Sequence, residues 1–446
     1  MDNSAPNSDP NTSPSSRGAV REMEKPTRTR WRIFGLLLAI VTINYVDRGS
    51  ISVALPLVNR DLGINPAEAG FILSAFFWTY TLMQVPGGWL ADRVNPRRMI
   101  TGTTVGWGVV QAATGLITSG NILLALRLLL GIFEGPIYPA GGKLNAMWMP
   151  ARDRGRGATL LDGGAPLGAA VGGAIISVLI LWLGSWRLSF IIAGVGTILM
   201  GALAWWYIRD NPRNHPSINQ AEIDYIEREH AREDAEAKGI IPEKRNLWRF
   251  LRFGSFWWMC LGWLGFDIVW YGLLTWGPSY LAQARHFDIA LIGASTFAIF
   301  GAGFVGELVG GFLSDAWKAR GGSPNMVMRT MLGFAAAVVT IAVFLVAYVP
   351  DAATAVALLA VTVFFLRWAG LYWSVPSTLT DRENAGVLGG AMNFTGNVGG
   401  IIIPIVIGLI VNATGSFFLA LMVFVAAGVL FFVSSVLLDY SHRLPV

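Results

Sequence analysis

Apolar residues in this chain come in long blocks, not in the short periods of amphipathic helices or strands. FGLLLAIVTI at 34–43 opens one such block, and comparable runs recur to the C-terminus. Each is long enough to cross a hydrocarbon core of roughly 30 Å at about 1.5 Å per residue. The pattern predicts twelve helices, at about 33–58, 67–91, 98–117, 121–147, 157–182, 186–208, 254–284, 288–315, 327–349, 353–377, 386–412 and 416–438. The first 29 residues are polar and rich in Ser, Asn and Pro, which predicts a disordered tail and lacks the apolar core of a signal peptide.

One polar interruption is long. Residues 209–253 begin RDNPRNHPS and continue INQAEIDYIEREHAREDAEAK. Ser217 or Asn219 can cap a helix there, and Ile218, Ile223 and Ile226 give it a narrow apolar stripe. This linker with its amphipathic helix separates a six-helix half at 30–208 from a second at 254–438, with 1–29 and 439–446 as tails.

Composition agrees with a polytopic, all-α membrane protein. Of 446 residues 54% are hydrophobic and only 14% charged. The net charge of +5 lies in loops and points to no nucleic-acid partner. It does orient the chain. The tails and the connections on one side hold 26 of the 33 Lys and Arg residues, while the opposite connections hold Arg60, Arg187 and Arg285. Positive residues accumulate on the cytoplasmic side, so both termini are expected there and the expected location is the cytoplasmic (inner) membrane. The lone cysteine, Cys260, excludes an intrachain disulfide, in keeping with a reducing cell.

The halves also echo each other. GGWLADRVNPRR at 87–98 and GGFLSDAWKARG at 310–321 both pair glycines with an Asp four residues after the second, then turn basic. A direct repeat of six-helix halves is a transporter plan in which substrate binds at the midplane between the halves. In this reading Asp92 and Arg93, with Asp315 in the echo, serve gating, and Lys143 and Glu307 serve vestibule or gate contacts.

Five ionisable residues lie deep in predicted spans. Asp47 and Arg48 sit in NYVDRG, Glu134 in the fourth segment, Asp267 in the seventh and Arg367 in the tenth. Asp47, Glu134, Asp267 and Arg367 are each roughly 20 Å from a membrane face at 1.5 Å per residue. Each costs roughly 3 kcal/mol to insert and so is expected to face the bundle interior. Convergence from both halves predicts a polar central cavity. Arg127 and Glu134 are two helical turns apart and share a face, with Arg127 as a charge partner. Arg48 cannot deprotonate, and its fork suits a carboxylate, whereas Asp47 and Glu134 can carry protons. None of the four histidines, His215, His230, His286 and His442, lies deep in a span.

GGWLADRVNPRR resembles the loop 2–3 signature of the major facilitator superfamily. Within it, NYVDR (44–48), FFWTYTLMQVPGGWLADR (76–93), RLLLGIFEGPIYP (127–139), NPRNHPSI (211–218) and GGAMNFTGNVGGIIIP (389–404) resemble the anion:cation symporter family. That family includes bacterial galactonate, hexuronate and glucarate transporters, sialin and the vesicular glutamate transporters. The resemblance implies the twelve-helix facilitator fold, proton coupling at Asp47 and Glu134, a substrate carboxylate on Arg48, and hydrogen bonds from Tyr45, Tyr80 and Asn393.

Three positions depart from that pattern. DGGAPLG (162–168) carries Asp162 and Ala165 where galactonate-type relatives show an amide-bearing run. Asp267 stands where a neutral polar group is common, and Arg367 is not a general family feature. Asp267 and Arg367 either neutralise each other as charge partners, or Arg367 supplies a second carboxylate grip while Trp270, Tyr271, Tyr372 and Trp373 stack on a ring. The chain has no GxxxxGK[ST] phosphate loop, metal-ligand cluster or nucleophile–base arrangement, so an enzyme, a metal and a nucleotide cofactor are not expected. The expected activity is proton-gradient-driven import of an organic anion (a sugar acid, an aromatic acid or a dicarboxylate) by a monomer. The alternatives are a proton-antiporting exporter, a uniporter or exchanger, and a non-transporting transceptor.

Overall fold

The computed structural model describes residues 25–237, 247–380 and 382–444. It places α1 at Thr29–Leu62, α2 at Pro66–Arg93, α3 at Pro96–Thr114, α4 at Gly120–Glu134, α5 at Ile137–Trp148, α6 at Ala151–Asp162, α7 at Gly164–Leu183 and α8 at Trp186–Tyr207. Then come α9 at Gln220–Ala237, α10 at Leu247–Phe250, α11 at Gly254–Arg285, α12 at Ile289–Ala319, α13 at Pro324–Tyr348 and α14 at Ala352–Leu366. A 3-10 segment, Arg367–Ser374, leads to α15 at Val375–Leu379, followed by α16 at Arg382–Thr414 and α17 at Phe418–Leu437. No strand occurs among the described residues. Most of the predicted disordered tail, residues 1–24, lies outside them.

Ten helical stretches among the described residues are long and apolar enough to cross a membrane. The expectation was twelve. α2 and α3 account for the difference. Both are continuous helices, but α3 carries four threonines, three glycines and a glutamine, and α2 ends in polar residues. Both are packed into the bundle, α2 against α4 and α16, α3 against α8.

Three expected spans are interrupted, and an ionisable residue marks each break. α4 ends at Glu134 because Gly135 and Pro136 follow, and proline has no N–H to continue the ladder. α6 ends at Asp162, where Gly163 and Gly164 lead into α7. α14 tightens into the 3-10 segment at Arg367. A mid-span 3-10 stretch of this kind often marks a hinge.

The amphipathic linker helix exists as α9, capped by Asn219, whose Oδ1 accepts from the Glu222 backbone N–H at 3.1 Å. Ile223 and Ile226 are buried, as the stripe predicts. Its buried Glu222 ties the helix to the start of α1, pairing with Arg30 at 2.7 Å and accepting from Thr27 Oγ1 at 2.6 Å.

Candidate functional site

Helices from before and after α9 meet tightly at one end of the bundle. α7 packs on α12, where Gly173 faces Thr296 and Gly293 faces Ser177. α2 packs on α16, where Gly70 lies against Pro404 and Gly408 and Ser74 Oγ donates to the Ile401 carbonyl. Towards the other end the same helices diverge around a cavity of about 820 Å³. Its wall runs from Tyr45, Tyr80 and Tyr271 in mid-helix down to Gly155 at the start of α6 and Asp315 near the end of α12.

The wall is aromatic and unevenly charged. Tyr138, Trp263, Trp270 and Trp373 add rings, and Gln84, Asn393 and Asn397 add amides. Four carboxylates reach it, those of Asp162, Asp267, Glu307 and Asp315. Among the described residues Arg367 is the single lining cation.

Arg367 is positioned by its surroundings. Its Nη2 lies 2.6 Å from Glu307 Oε2, with Nε at 3.3 Å from the same oxygen. The guanidinium lies over the Trp270 ring at 4.8 Å and the Phe266 ring at 5.8 Å. The expectation that Asp267 is its charge partner needs correction. No ion pair joins them among the described residues, because Glu307 on α12 reaches Arg367 first. Asp267 instead rests against Gly396 of α16, where an added Cβ would lie 1.8 Å from Oδ2. Sequence reasoning left Glu307 among gate contacts. It lies eight residues before Asp315, just upstream of the echoed motif and on the same broad side of the helix, and that was the available signal.

A second pair lies behind the wall. Arg48 Nη2 is 2.9 Å from Glu134 Oε2, and both residues are buried. Gly131 and Gly135 let α4 pack closely on α2, where a Cβ on Gly131 would meet the Phe76 carbonyl. Tyr45, Phe76 and Tyr80 cage the Arg48 guanidinium at 4.4, 4.6 and 4.8 Å. Tyr45 and Tyr80 line the cavity; Arg48 and Glu134 do not. Asn44 accepts from Arg48 Nη2 at 3.3 Å, while Nη1 and Glu134 Oε1 are buried without a partner. Arg127, expected to pair with Glu134, lies over the Phe76 ring at 5.2 Å, and Arg48 takes the carboxylate.

Asp47 faces elsewhere. It is 1% exposed and accepts from Thr197 Oγ1 of α8 at 2.6 Å, leaving Oδ1 buried without a partner. Adjacent helical residues point about 100° apart, so NYVDRG sends Asp47 into the seam with α8 and Arg48 towards α4. The expectation of one shared chamber for Asp47, Arg48 and Glu134 therefore meets a different arrangement, with all three screened from the cavity.

The remaining predicted residues divide. Tyr45, Tyr80, Asp267, Asp315, Arg367, Trp373 and Asn393 line the cavity. Tyr372 does not; it is fully buried, and its hydroxyl lies 2.9 Å from Ser435 Oγ of α17. Arg93 is exposed and stacks 3.9 Å over Trp89, and the Asp92 side chain lies outside the described residues. Lys143 Nζ donates to the Ala91 carbonyl near the end of α2.

Residues 37–404 match the Major Facilitator Superfamily. The chain belongs to that superfamily. It is a multi-pass membrane transporter, not an enzyme, and it resembles the anion:cation symporters. It is 33% identical to the probable sulfoacetate transporter SauU of Cupriavidus necator, over 90% of this chain and 92% of that protein. It is likewise 33% identical to the probable galactarate/D-glucarate transporter GudP of Bacillus subtilis, over 94% of each. Identity to the D-galactonate transporter of Escherichia coli O6:H1 is 30%, over 88% of this chain and 91% of that one. Among solved structures, a bacterial homologue of the human lysosomal transporter Spinster shares the fold, with a TM-score of 0.71, 19% identity and coverage of 92% and 96%.

Proposed function

We propose that this facilitator is a proton-coupled symporter that imports an organic anion by alternating access. Twelve helices would cross the inner membrane, α2 and α3 included, in six-helix halves at 30–208 and 254–438, with both termini cytoplasmic. The supporting observation is a large, aromatic cavity whose one lining cation among the described residues, Arg367, is reachable from the bundle end that bears most of the basic connections. Under the positive-inside rule that end is cytoplasmic and the shape is inward-open. Relatives named for sulfoacetate, galactarate/D-glucarate and D-galactonate all handle organic anions, which supports a carboxylate-bearing ligand here.

In this reading Arg367 meets the ligand in the cavity, with Tyr45, Tyr80, Asn393 and Trp373 around it. Arg48 is a second grip, reached when Tyr45 and Tyr80 part. A ligand carboxylate on Arg48 would release Glu134 to carry a proton, and Asp47 would carry another across the α1–α8 seam. Asp92, Arg93 and Asp315 act at the gates. The proton gradient alone supplies the energy, and the working unit is a monomer.

Proteoliposomes without an imposed gradient test this. External D-galactonate, D-glucarate, sulfoacetate and phenylacetate are added in turn, and internal pH and uptake are followed. Symport acidifies the lumen as the accepted anion enters. Alkalinisation would establish an antiporter, and absence of flux for the whole panel would remove the organic-anion reading.

A further inference from the structure

The pair that Glu307 makes with Arg367 occupies the one cation that lines the cavity among the described residues. A ligand carboxylate must therefore compete with an internal carboxylate that is already in place. The two partners are held unequally. Arg367 has an 8% exposed side chain, sits at the start of the 3-10 segment and lies against the Trp270 and Phe266 rings. Glu307 has a 24% exposed side chain and bonds only through Oε2. Gly370 leaves room beside it, since an added Cβ would come to 3.2 Å of Oε1. The guanidinium is fixed and the carboxylate can leave.

Charge settles what must follow. Glu307 pairs with Arg367 of the 3-10 segment and shares the cavity wall with Asp162 from α6, Asp267 from α11, Asp315 further along α12, and the phenols of Tyr45, Tyr80, Tyr138 and Tyr271. An arriving anion adds negative charge to a chamber where, among the described residues, four carboxylates already stand against one guanidinium. Desolvated like charges resist such crowding.

We infer that Glu307 is an exchangeable carboxylate and a proton-coupling residue: a substrate carboxylate displaces it from Arg367, and the freed Glu307 takes up a proton. The step balances. The ion pair, one anion and one proton become an Arg367–substrate pair and a neutral Glu307 carboxylic acid, and the reverse step returns the proton when the anion leaves. This adds a coupling site after α9 to those proposed before it, and it rests on the organic-anion reading above.

Isothermal titration of the purified full-length protein separates the two claims. The probes are D-galactonate, D-glucarate, sulfoacetate and phenylacetate, at pH 6 and pH 8, in two buffers of different ionisation enthalpy so that protons taken up per anion are counted. Glu307→Gln removes the internal competitor, so the accepted probe binds about tenfold or more tightly at pH 8. It takes up about one proton fewer than in the wild type. Glu307→Asp keeps the wild-type proton count and binds with intermediate affinity. Glu307→Gln binding no tighter, with an unchanged proton count, would overturn the proposal while leaving anion transport standing. If Glu307→Gln does not yield folded protein, wild-type affinity in Glu307→Asp overturns it instead. Binding of no probe by either the wild type or Glu307→Gln removes the organic-anion reading and this proposal together.

Discussion

Arg48–Glu134 and Arg367–Glu307 are two arginine–glutamate pairs of nearly the same length, 2.9 and 2.6 Å, one before the linker helix and one after it. Their surroundings differ. Tyr45, Phe76 and Tyr80 seal the first from the cavity, and the Glu134 side chain is 0% exposed. The second forms part of the cavity wall. A sealed pair resists loss of either partner, because the remaining charge has no water to turn to. A pair at a cavity wall can trade one partner for a ligand or a proton. In this conformation the first pair is closed to a ligand until Tyr45 and Tyr80 part, whereas the second already stands at the wall.

Removing the two arginines should show the largest effects and the clearest contrast. Arg48→Ala strands Glu134 in a sealed site. Breaking a buried pair costs about 3–5 kcal/mol, so we expect a large fall in melting temperature together with at least a hundredfold loss of uptake. Arg367→Ala should lose uptake by about ten- to a hundredfold with a much smaller thermal shift, since Glu307 can turn to cavity water. Equal thermal losses in the two variants would break the comparison.

Gly396→Ala sharpens it from the Asp267 side. The new methyl would fall 1.8 Å from Asp267 Oδ2, forcing α16 away from α11 at a cost of about 1–3 kcal/mol. Gly390→Ala on the same helix has nothing within 4 Å and should change neither stability nor uptake. Scanning calorimetry in detergent, paired with uptake, reads both.

The smallest effect lies outside the membrane. His215 is 4% exposed, packed edge-on against Tyr207 and Trp148. Burial lowers its pKa, and the charge of Arg209 adds to that. A histidine depressed in the folded state binds fewer protons than the unfolded chain. The stability it contributes is therefore intact above its ordinary value of about 6.5 and falls as pH drops below it. Hydrogen exchange in the 211–219 segment should quicken at pH 5.5 relative to pH 7.5, and His215→Phe should remove that difference.

Much of the architecture was legible in the sequence because bilayer thickness and helix rise dictate segment length regardless of what the segments touch. The long polar linker and a cap at Ser217 or Asn219 could be placed from residue type alone, and the structure selects Asn219. So could the charges of NYVDRG, the Glu134 carboxylate before Gly-Pro, and Arg367. What spacing could not decide was pairing. Arg127 and Glu134 share a helix face, yet Arg48 from another helix reaches the carboxylate first. Asp267 and Arg367 lie at matching depth, yet Glu307 intervenes.

The residue sequence by itself determined that this chain is a bundle of membrane helices with costly charges at mid-depth, because insertion energy depends on composition and length. Only the tertiary structure decided which of those charges are sealed and which meet the cavity. Rotation of a helix by one residue, about 100°, moves a side chain from a dry seam to a water-filled wall, and that rotation is settled by neighbouring helices. Asp47 and Arg48, adjacent in the chain, end on different seams for that reason.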